Sequence, residues 1–301
     1  METLVSTHNE WDTLKKVIVG DASHANWPVN CSDFRRNEQT TLWKDTPVPA
    51  GPVEQWIIDE ANEDLQVFVK ILQDCDVEVL RPDPINFQKV DGFYNYCPRD
   101  RLLIIGDKII DCPMAYKSRQ IEIQSYSWLG NTISCDDPDA RFDAANVCRL
   151  GNDLLYLVSE SGNLAGARWL QDTFPEYNVH ILDCYNGVHI DSTIVPVREG
   201  LVVLNGSRID VSNVPRIFEN WDKIYIHNVF PQGFTNYPYA SKWIGINFLT
   251  VNPNLIICDP KQDELIKQLK KYNVESIGCE LRHSRTLGGG HHCTTLDLLR
   301  V

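Results

Sequence analysis

Asn152-Asp153-Leu154-Leu155-Tyr156-Leu157-Val158 and, further on, Pro253-Asn254-Leu255-Ile256-Ile257-Cys258 open two stretches that read alike. Each apolar run leads to a helical pattern, around 164–174 in the first stretch and 263–271 in the second. Each then reaches a second short run, Asn178-Val179-His180-Ile181-Leu182 or Asn273-Val274-Glu275-Ser276-Ile277. Short apolar runs bounded by turn residues fit buried strands, whereas the longer periodic segments fit helices. A third unit lies between them. Leu201-Val202-Val203-Leu204 leads through an expected helix over 214–221 to Lys223-Ile224-Tyr225-Ile226-His227. Strand–helix–strand units of similar length imply like modules stacked together, with an axis as one way to close them. The fold class is α/β.

The N-terminal half adds elements of the same kind. Trp56, Ile57, Ala61, Leu65, Phe68, Ile71 and Leu72 recur at helical spacing, and Pro52 suits a first helical turn. A strand follows at Val77-Glu78-Val79-Leu80. Leu102-Leu103-Ile104-Ile105 and Ile109-Ile110 flank Gly106-Asp107-Lys108 as a β-hairpin. His8-Asn9-Glu10-Trp11-Asp12 reads as a turn feeding the strand Val17-Ile18-Val19. Residues 21–50, polar and punctuated by Pro28, Pro47 and Pro49, read as a long surface loop. No join resembles a flexible linker, so residues 1–301 are expected to form one domain.

Composition narrows the function. The chain is 43% hydrophobic and 23% charged, and no apolar run approaches the roughly 20 residues of a membrane span. A net charge of -13 argues against a nucleic-acid partner, which needs a basic face. It suits a cationic small molecule, although solubility alone also accounts for it. Ten cysteines are scattered without a C-x-x-C pair, against zinc ribbons and thioredoxin-like motifs. Met1-Glu2-Thr3-Leu4 has neither a basic nor an apolar leader region, so reduced thiols in a cytoplasmic protein are expected.

The chemistry concentrates near residue 293. Gly288-Gly289-Gly290 runs straight into His291-His292-Cys293 and a short apolar run. Glycines permit close backbone approach, and cysteine is the strongest intrinsic nucleophile among the side chains. A tight turn before a buried strand, with an inert thiol, explains the same residues. Three more stretches set polar residues at the mouth of an apolar strand. They are Tyr96-Cys97-Pro98-Arg99-Asp100, Arg141-Phe142-Asp143-Ala144-Ala145-Asn146, and Asn186-Gly187-Val188-His189-Ile190-Asp191-Ser192-Thr193. Cys, His and Asp far apart in sequence suit nucleophilic catalysis with an oriented base, though each alone has a plainer reading. Three adjacent residues rarely ligate one ion, so His291-His292-Cys293 is not expected to bind metal.

The chain resembles the amidinotransferases, the glycine and inosamine-phosphate amidinotransferase family of the guanidino-group-modifying (pentein) superfamily. The matching segments are Asn9-Glu10-Trp11-Asp12, Val17-Ile18-Val19-Gly20, Arg81-Pro82-Asp83-Pro84-Ile85, Pro98-Arg99-Asp100, Cys112-Pro113-Met114-Ala115 and Phe142-Asp143-Ala144-Ala145. His189-Ile190-Asp191-Ser192-Thr193, Ser241-Lys242-Trp243, Leu287-Gly288-Gly289-Gly290 and His292-Cys293 complete the set, in family order.

The resemblance implies a five-bladed, pseudo-symmetric α/β propeller with its active site on the axis. It implies Cys293 as nucleophile, His189 as general acid/base and Asp143 as the carboxylate orienting it. Asp100 and Asp191 match the guanidinium-binding aspartates, Arg208 the arginine for the donor's carboxylate, and Ser241 a serine at the amino-acid end. Asn186 matches a pocket position that affects substrate choice. The implied reaction moves the amidino group of L-arginine to an amine acceptor through an amidino-Cys293 intermediate, releasing ornithine, with no cofactor. The implied partners are small molecules; a homodimer is compatible with it.

Departures from the pattern bear on substrate. The connection between Ser127 and Ala140 is short where relatives carry an insertion, Ala240 stands where a second serine is common, and Thr294 where a Trp is frequent. The acceptor is left open. The competing readings are a guanidino-group hydrolase, in which water replaces the amine, a non-catalytic arginine-binding protein and a redox-sensing thiol protein.

Overall fold

The computed structural model of the chain describes residues 5–40 and 47–301. From the N-terminus the elements are β1 (Leu14–Val19), β2 (Asn26–Trp27), α1 (Ser32–Thr40), β3 (Gly51–Pro52), α2 (Gln55–Asp74) and β4 (Glu78–Leu80). Then come α3 (Phe87–Val90), α4 (Pro98–Arg101), β5 (Leu102–Ile105), β6 (Lys108–Asp111) and β7 (Ile133–Ser134). The third group is β8 (Val147–Leu150), β9 (Asp153–Leu157), α5 (Leu164–Thr173) and β10 (Asn178–Leu182). It is followed by β11 (Ile194–Arg198), β12 (Leu201–Asn205) and β13 (Asp222–Ile226). The last group is β14 (Leu249–Asn252), β15 (Leu255–Cys258), α6 (Asp263–Lys270), β16 (Glu275–Gly278), α7 (Ser284–Leu287) and β17 (Thr295–Arg300).

These strands build one unit five times. The 3-stranded sheets run β17-β1-β4, β5-β6-β7, β8-β9-β10, β11-β12-β13 and β14-β15-β16. In each, the first pair is antiparallel and the second parallel. A tight hairpin suffices for the antiparallel pair, whereas the parallel strand needs a crossover long enough to return to the same end. That requirement explains the recurring helix before the third strand. In the first blade, β17 from the C-terminal end pairs with β1, and the ring closes through that ladder. The fold is a five-bladed α/β propeller. Strands β5, β8 and β12 are buried at every position; β5 and β12 are the apolar runs Leu102–Ile105 and Leu201–Leu204, whereas β8 buries the charged Arg149 as well.

The expected elements formed, with instructive exceptions. α2 buries Ile57, Ile58, Ala61, Leu65, Phe68 and Leu72, but Trp56 is 45% exposed and Pro52 belongs to β3, ahead of the helix. The stretch 21–50 is not a surface loop as a whole. Within it Trp27 and Phe34 are buried, pack on Phe93 at 5.5 and 5.3 Å between rings, and carry β2 and α1. Large apolar area removed from water outweighed the polar composition around it; residues 41–46 lie outside the described residues. The helix expected over 214–221 is only a single 3-10 turn, Arg216–Phe218; Pro215 keeps Val214 out of the helical region, and Pro215 itself is extended at ψ 137°. No described helix is long and apolar enough to cross a membrane.

Candidate active site at the propeller axis

Each blade brings one polar residue to the axis just ahead of its first strand. They are Asp100 before β5, Asp143 before β8, Asp191 before β11, Asn247 before β14 and Cys293 before β17. All five are buried. Asn247 was missed in the sequence, where a lone asparagine in Gly245-Ile246-Asn247-Phe248 carries no motif. The fivefold placement is the signal that finds it.

The glycines explain how Cys293 reaches its position. Gly288 ends α7 at φ +80°, a left-handed conformation open to glycine, and a Cβ there would lie 2.2 Å from the Tyr239 ring. At Gly290 a Cβ would lie 2.7 Å from Asn247 Oδ1. That oxygen accepts the backbone N–H groups of His292 (3.0 Å) and Cys293 (3.1 Å), while Asn247 Nδ2 donates to Asp191 O at 3.1 Å. Asn247 therefore ties the cysteine loop to the Asp191 segment, and a side chain at 290 would break the tie.

Cys293 Sγ donates to Asp191 Oδ2 at 3.2 Å, and His292 Nδ1 contacts the same oxygen at 2.8 Å. Burial, with the charges of Asp191 and Asp100 nearby, pushes the Cys293 thiol well above its usual range. The thiol is therefore neutral at neutral pH. Burial would raise the Asp191 carboxyl, but hydrogen bonds and charge from His292, together with His189 and Cys293, hold it at about 2.

His189 lies between two carboxylates. Its Nε2 is 3.1 Å from Asp143 Oδ2, and its Nδ1 is 3.5 Å from Asp100 Oδ1. Burial disfavours the imidazolium, yet Asp100, Asp143 and Asp191 outweigh it and raise the ring to about 9. The other oxygen of Asp143 accepts the Ala115 N–H at 3.0 Å, which fixes the carboxylate. Asp100 Oδ2 accepts from Arg119 Nη1 at 2.7 Å, and Arg119 is held in turn by Glu122 at 2.8 and 3.0 Å. Asp100 Oδ1 is buried with no hydrogen-bond partner, so it stands ready for a donor.

Of the residues expected from sequence, Cys293, His189, Asp143, Asp100 and Asp191 converge here. Arg208 and Ser241 form an adjoining cluster: Arg208 donates to Thr193 Oγ1 (2.7 Å) and Ser241 Oγ (3.5 Å), and stacks 3.6 Å over the Tyr185 ring. Arg208 has no carboxylate partner among the described residues, which leaves its charge for an anion. Ser241 also caps the short 3-10 helix Lys242–Ile246 by accepting the Trp243 N–H. Asn186 is exposed on the segment between Tyr185 and His189.

Below the site, Glu10 grips Arg149 at 2.8 and 2.7 Å, and Asp297 joins Arg149 (2.9 Å), Arg300 (2.7 Å) and Arg99. These groups give the axis a buried ionic floor. His292 Nε2 reaches Glu10 at 3.3 Å and so connects floor to site. His291 turns elsewhere, to Cys279 O at 2.9 Å, and burial lowers it to about 4. The two histidines make separate contacts, and among the described residues no group of three or more His, Cys, Asp or Glu side chains is arranged to hold a metal.

No protein-family model matches the chain. Inosamine-phosphate amidinotransferase 1 of Streptomyces griseus is 38% identical over 349 aligned positions that span 99% of this chain and 98% of the relative. A solved structure of the S. griseus inosamine-phosphate amidinotransferase superposes with a TM-score of 0.93 at 38% identity, covering 100% of this chain and 98% of that one.

The chain belongs to the amidinotransferase family.

An amidinotransferase from Microseira wollei, in a saxitoxin biosynthetic pathway, superposes with a TM-score of 0.87 at 29% identity, covering 98% and 97% of the two chains. An aligned length of 349 positions against 301 residues means that the S. griseus relative carries internal segments this amidinotransferase lacks. The short 127–140 connection agrees with that difference.

Proposed function

We propose that this amidinotransferase takes the amidino group from L-arginine, releases ornithine, and passes the group to an amine acceptor through an amidino-Cys293 intermediate. Residues 1–301 act as one catalytic domain on small-molecule substrates. The observation that carries the reading is the pair of carboxylates, Asp100 with an unpartnered buried oxygen and Asp191 bonded to the Cys293 thiol, beside an imidazolium. A guanidinium is planar and cationic. Two carboxylates hold its N–H edges by charge-assisted hydrogen bonds and fix the central carbon for attack.

The arriving cation offsets the negative charges that keep Cys293 protonated, so binding favours the thiolate, with the thiol proton released to solvent. Cys293 Sγ bonds to the guanidino carbon. His189, already protonated, gives its proton to the departing amine nitrogen as the C–N bond breaks, which frees ornithine. The neutral His189 then takes a proton from the incoming amine. The new N–C bond forms, the Sγ–C bond breaks, and the Cys293 thiolate leaves; as the cationic product departs, it regains its proton from solvent. Asp143 holds the imidazole in orientation throughout, and Arg208 with Ser241 receives the donor's α-carboxylate. Asn186 lines the entrance and affects which substrates pass.

Incubation with arginine labelled at the guanidino carbon, without acceptor, tests this directly. Intact mass should show an amidino adduct at Cys293 with one ornithine released. Citrulline and ammonia without an adduct would point to a hydrolase, and bound arginine without turnover to a binding protein.

A further inference from the structure

Asp100 and Asp143, the carboxylates on either side of His189, are both held by one stretch of chain, residues 115–122. Ala115 donates its N–H to Asp143 Oδ1 at 3.0 Å, and Arg119 Nη1 donates to Asp100 Oδ2 at 2.7 Å. The remaining edge of Arg119, Nε and Nη2, meets both oxygens of Glu122 at 2.8 and 3.0 Å. The Phe93 and Tyr94 rings lie 5.5 and 5.3 Å from its guanidinium carbon, and both Arg119 and Glu122 are buried.

A buried ion pair of this kind can serve only to neutralise itself. The charges around the axis give this one a consequence. Asp100, Asp143, Asp191 and Glu122 are four acids, and the basic groups in contact with them are three, Arg119, His189 and His292. His292 also touches Glu10, but Arg149 matches that acid. One negative charge is left over. It falls on Asp100, whose Oδ1 accepts no hydrogen bond. The two-pronged contact is the stronger one, so Glu122 takes most of the Arg119 charge and Asp100 receives a single N–H.

We propose that Glu122 is a positioning residue for the donor: by engaging Arg119 it leaves Asp100 with a charge the protein does not cancel, and so sets the affinity of the site for a cationic guanidino group. Without Glu122, Arg119 turns its whole charge to Asp100, and the surplus that attracts a second guanidinium disappears. Acidification has the same sense. Burial pushes Glu122 up to about 7 although Arg119 opposes it. The other charged or titratable groups beside it are Arg101 and Asp100 from α4, Cys97 just ahead of α4, and Tyr126 from its own segment. Arg101 is taken by Asp111, and burial keeps Cys97 and Tyr126 neutral.

The inference rests on arginine being the donor, and two readouts separate the one from the other. Arginine affinity is measured by calorimetry in the Cys293→Ser protein, where no covalent step follows binding. In the same protein without ligand, the His189 ring is titrated by NMR. Glu122→Gln keeps the shape and removes the charge; it should weaken arginine binding about tenfold at pH about 8 and move the His189 midpoint down by about half a pH unit. Glu122→Asp keeps the charge and should stay within about threefold of the parent. The parent should itself bind arginine more weakly at pH about 6 than at about 8, a comparison that stands even if Glu122→Gln fails to fold. Unchanged arginine affinity and His189 midpoint in Glu122→Gln, or an equal loss of affinity in Glu122→Asp, overturns the proposal. If the parent binds no arginine, the donor reading falls and the His189 midpoint alone decides this one.

Discussion

The floor of the propeller axis and the site above it are built from the same materials and finished differently. In the floor, Glu10 and Asp297 are surrounded by Arg99, Arg149 and Arg300. Both acids are held well below the usual carboxylate range: burial opposes ionisation, and the arginines overcome it. In the site, acids outnumber their partners. Asp100 keeps an oxygen that accepts no hydrogen bond, burial raises its carboxyl, and burial together with the surplus of negative charge drives the Cys293 thiol up. A buried ion network that is complete contributes rigidity, whereas one short of a cation waits for a cationic ligand. In the proposed reaction, the guanidinium of the donor supplies what the site lacks.

The sharpest break of this contrast is at the thiol. Cys293→Ser should abolish ornithine release while arginine binding, followed by calorimetry, survives on Asp100 and Asp191; full activity would end the covalent scheme. Next is the floor. Asp297→Asn leaves Arg300 without an acid and Arg99 and Arg149 with Glu10 alone, and should cost about 3–5 kcal/mol of stability, read from the denaturant midpoint. An unchanged midpoint would mean that the floor is not a stabilising network. Asp191→Asn should weaken donor affinity and rate together, since Asp191 contacts the thiol and, in the proposed reaction, also grips the guanidinium.

The smallest effect concerns pH. With the thiol titrating above His189, kcat/KM for arginine should rise with pH and level off near 9, where the imidazolium is lost. Asp143 stabilises the imidazolium, so Asp143→Asn lowers the His189 pKa toward its ordinary value of about 6.5, and the break moves to lower pH. A break that stays at the same pH in that variant would assign the limb to another group. Alkylation of Cys293 in the ligand-free protein should be slow at neutral pH and speed up in alkaline buffer.

The sequence by itself determined the modules and the reacting groups. Apolar runs at strand length, amphipathic spacing in α2 and the triple glycine are local signals, because burial pattern and glycine's freedom are written residue by residue. Cys293, His189, Asp143, Asp100 and Asp191 were named through the ordered motifs of the family resemblance, since each alone has a plainer local reading. Only the tertiary structure decided what depends on distance between blades. Asn247 has no motif, yet it ties the cysteine loop to Asp191. Arg119 and Glu122 carry no motif, and a thirteen-residue 3-10 segment, Lys117–Leu129, buries them behind Asp100. Trp27 and Phe34 sit in a polar stretch and are drawn inward by Phe93, far along the chain. The thiol's protonation followed the same rule. Charge and burial act through space, and closing the ring through β17 and β1 determines which charges become neighbours.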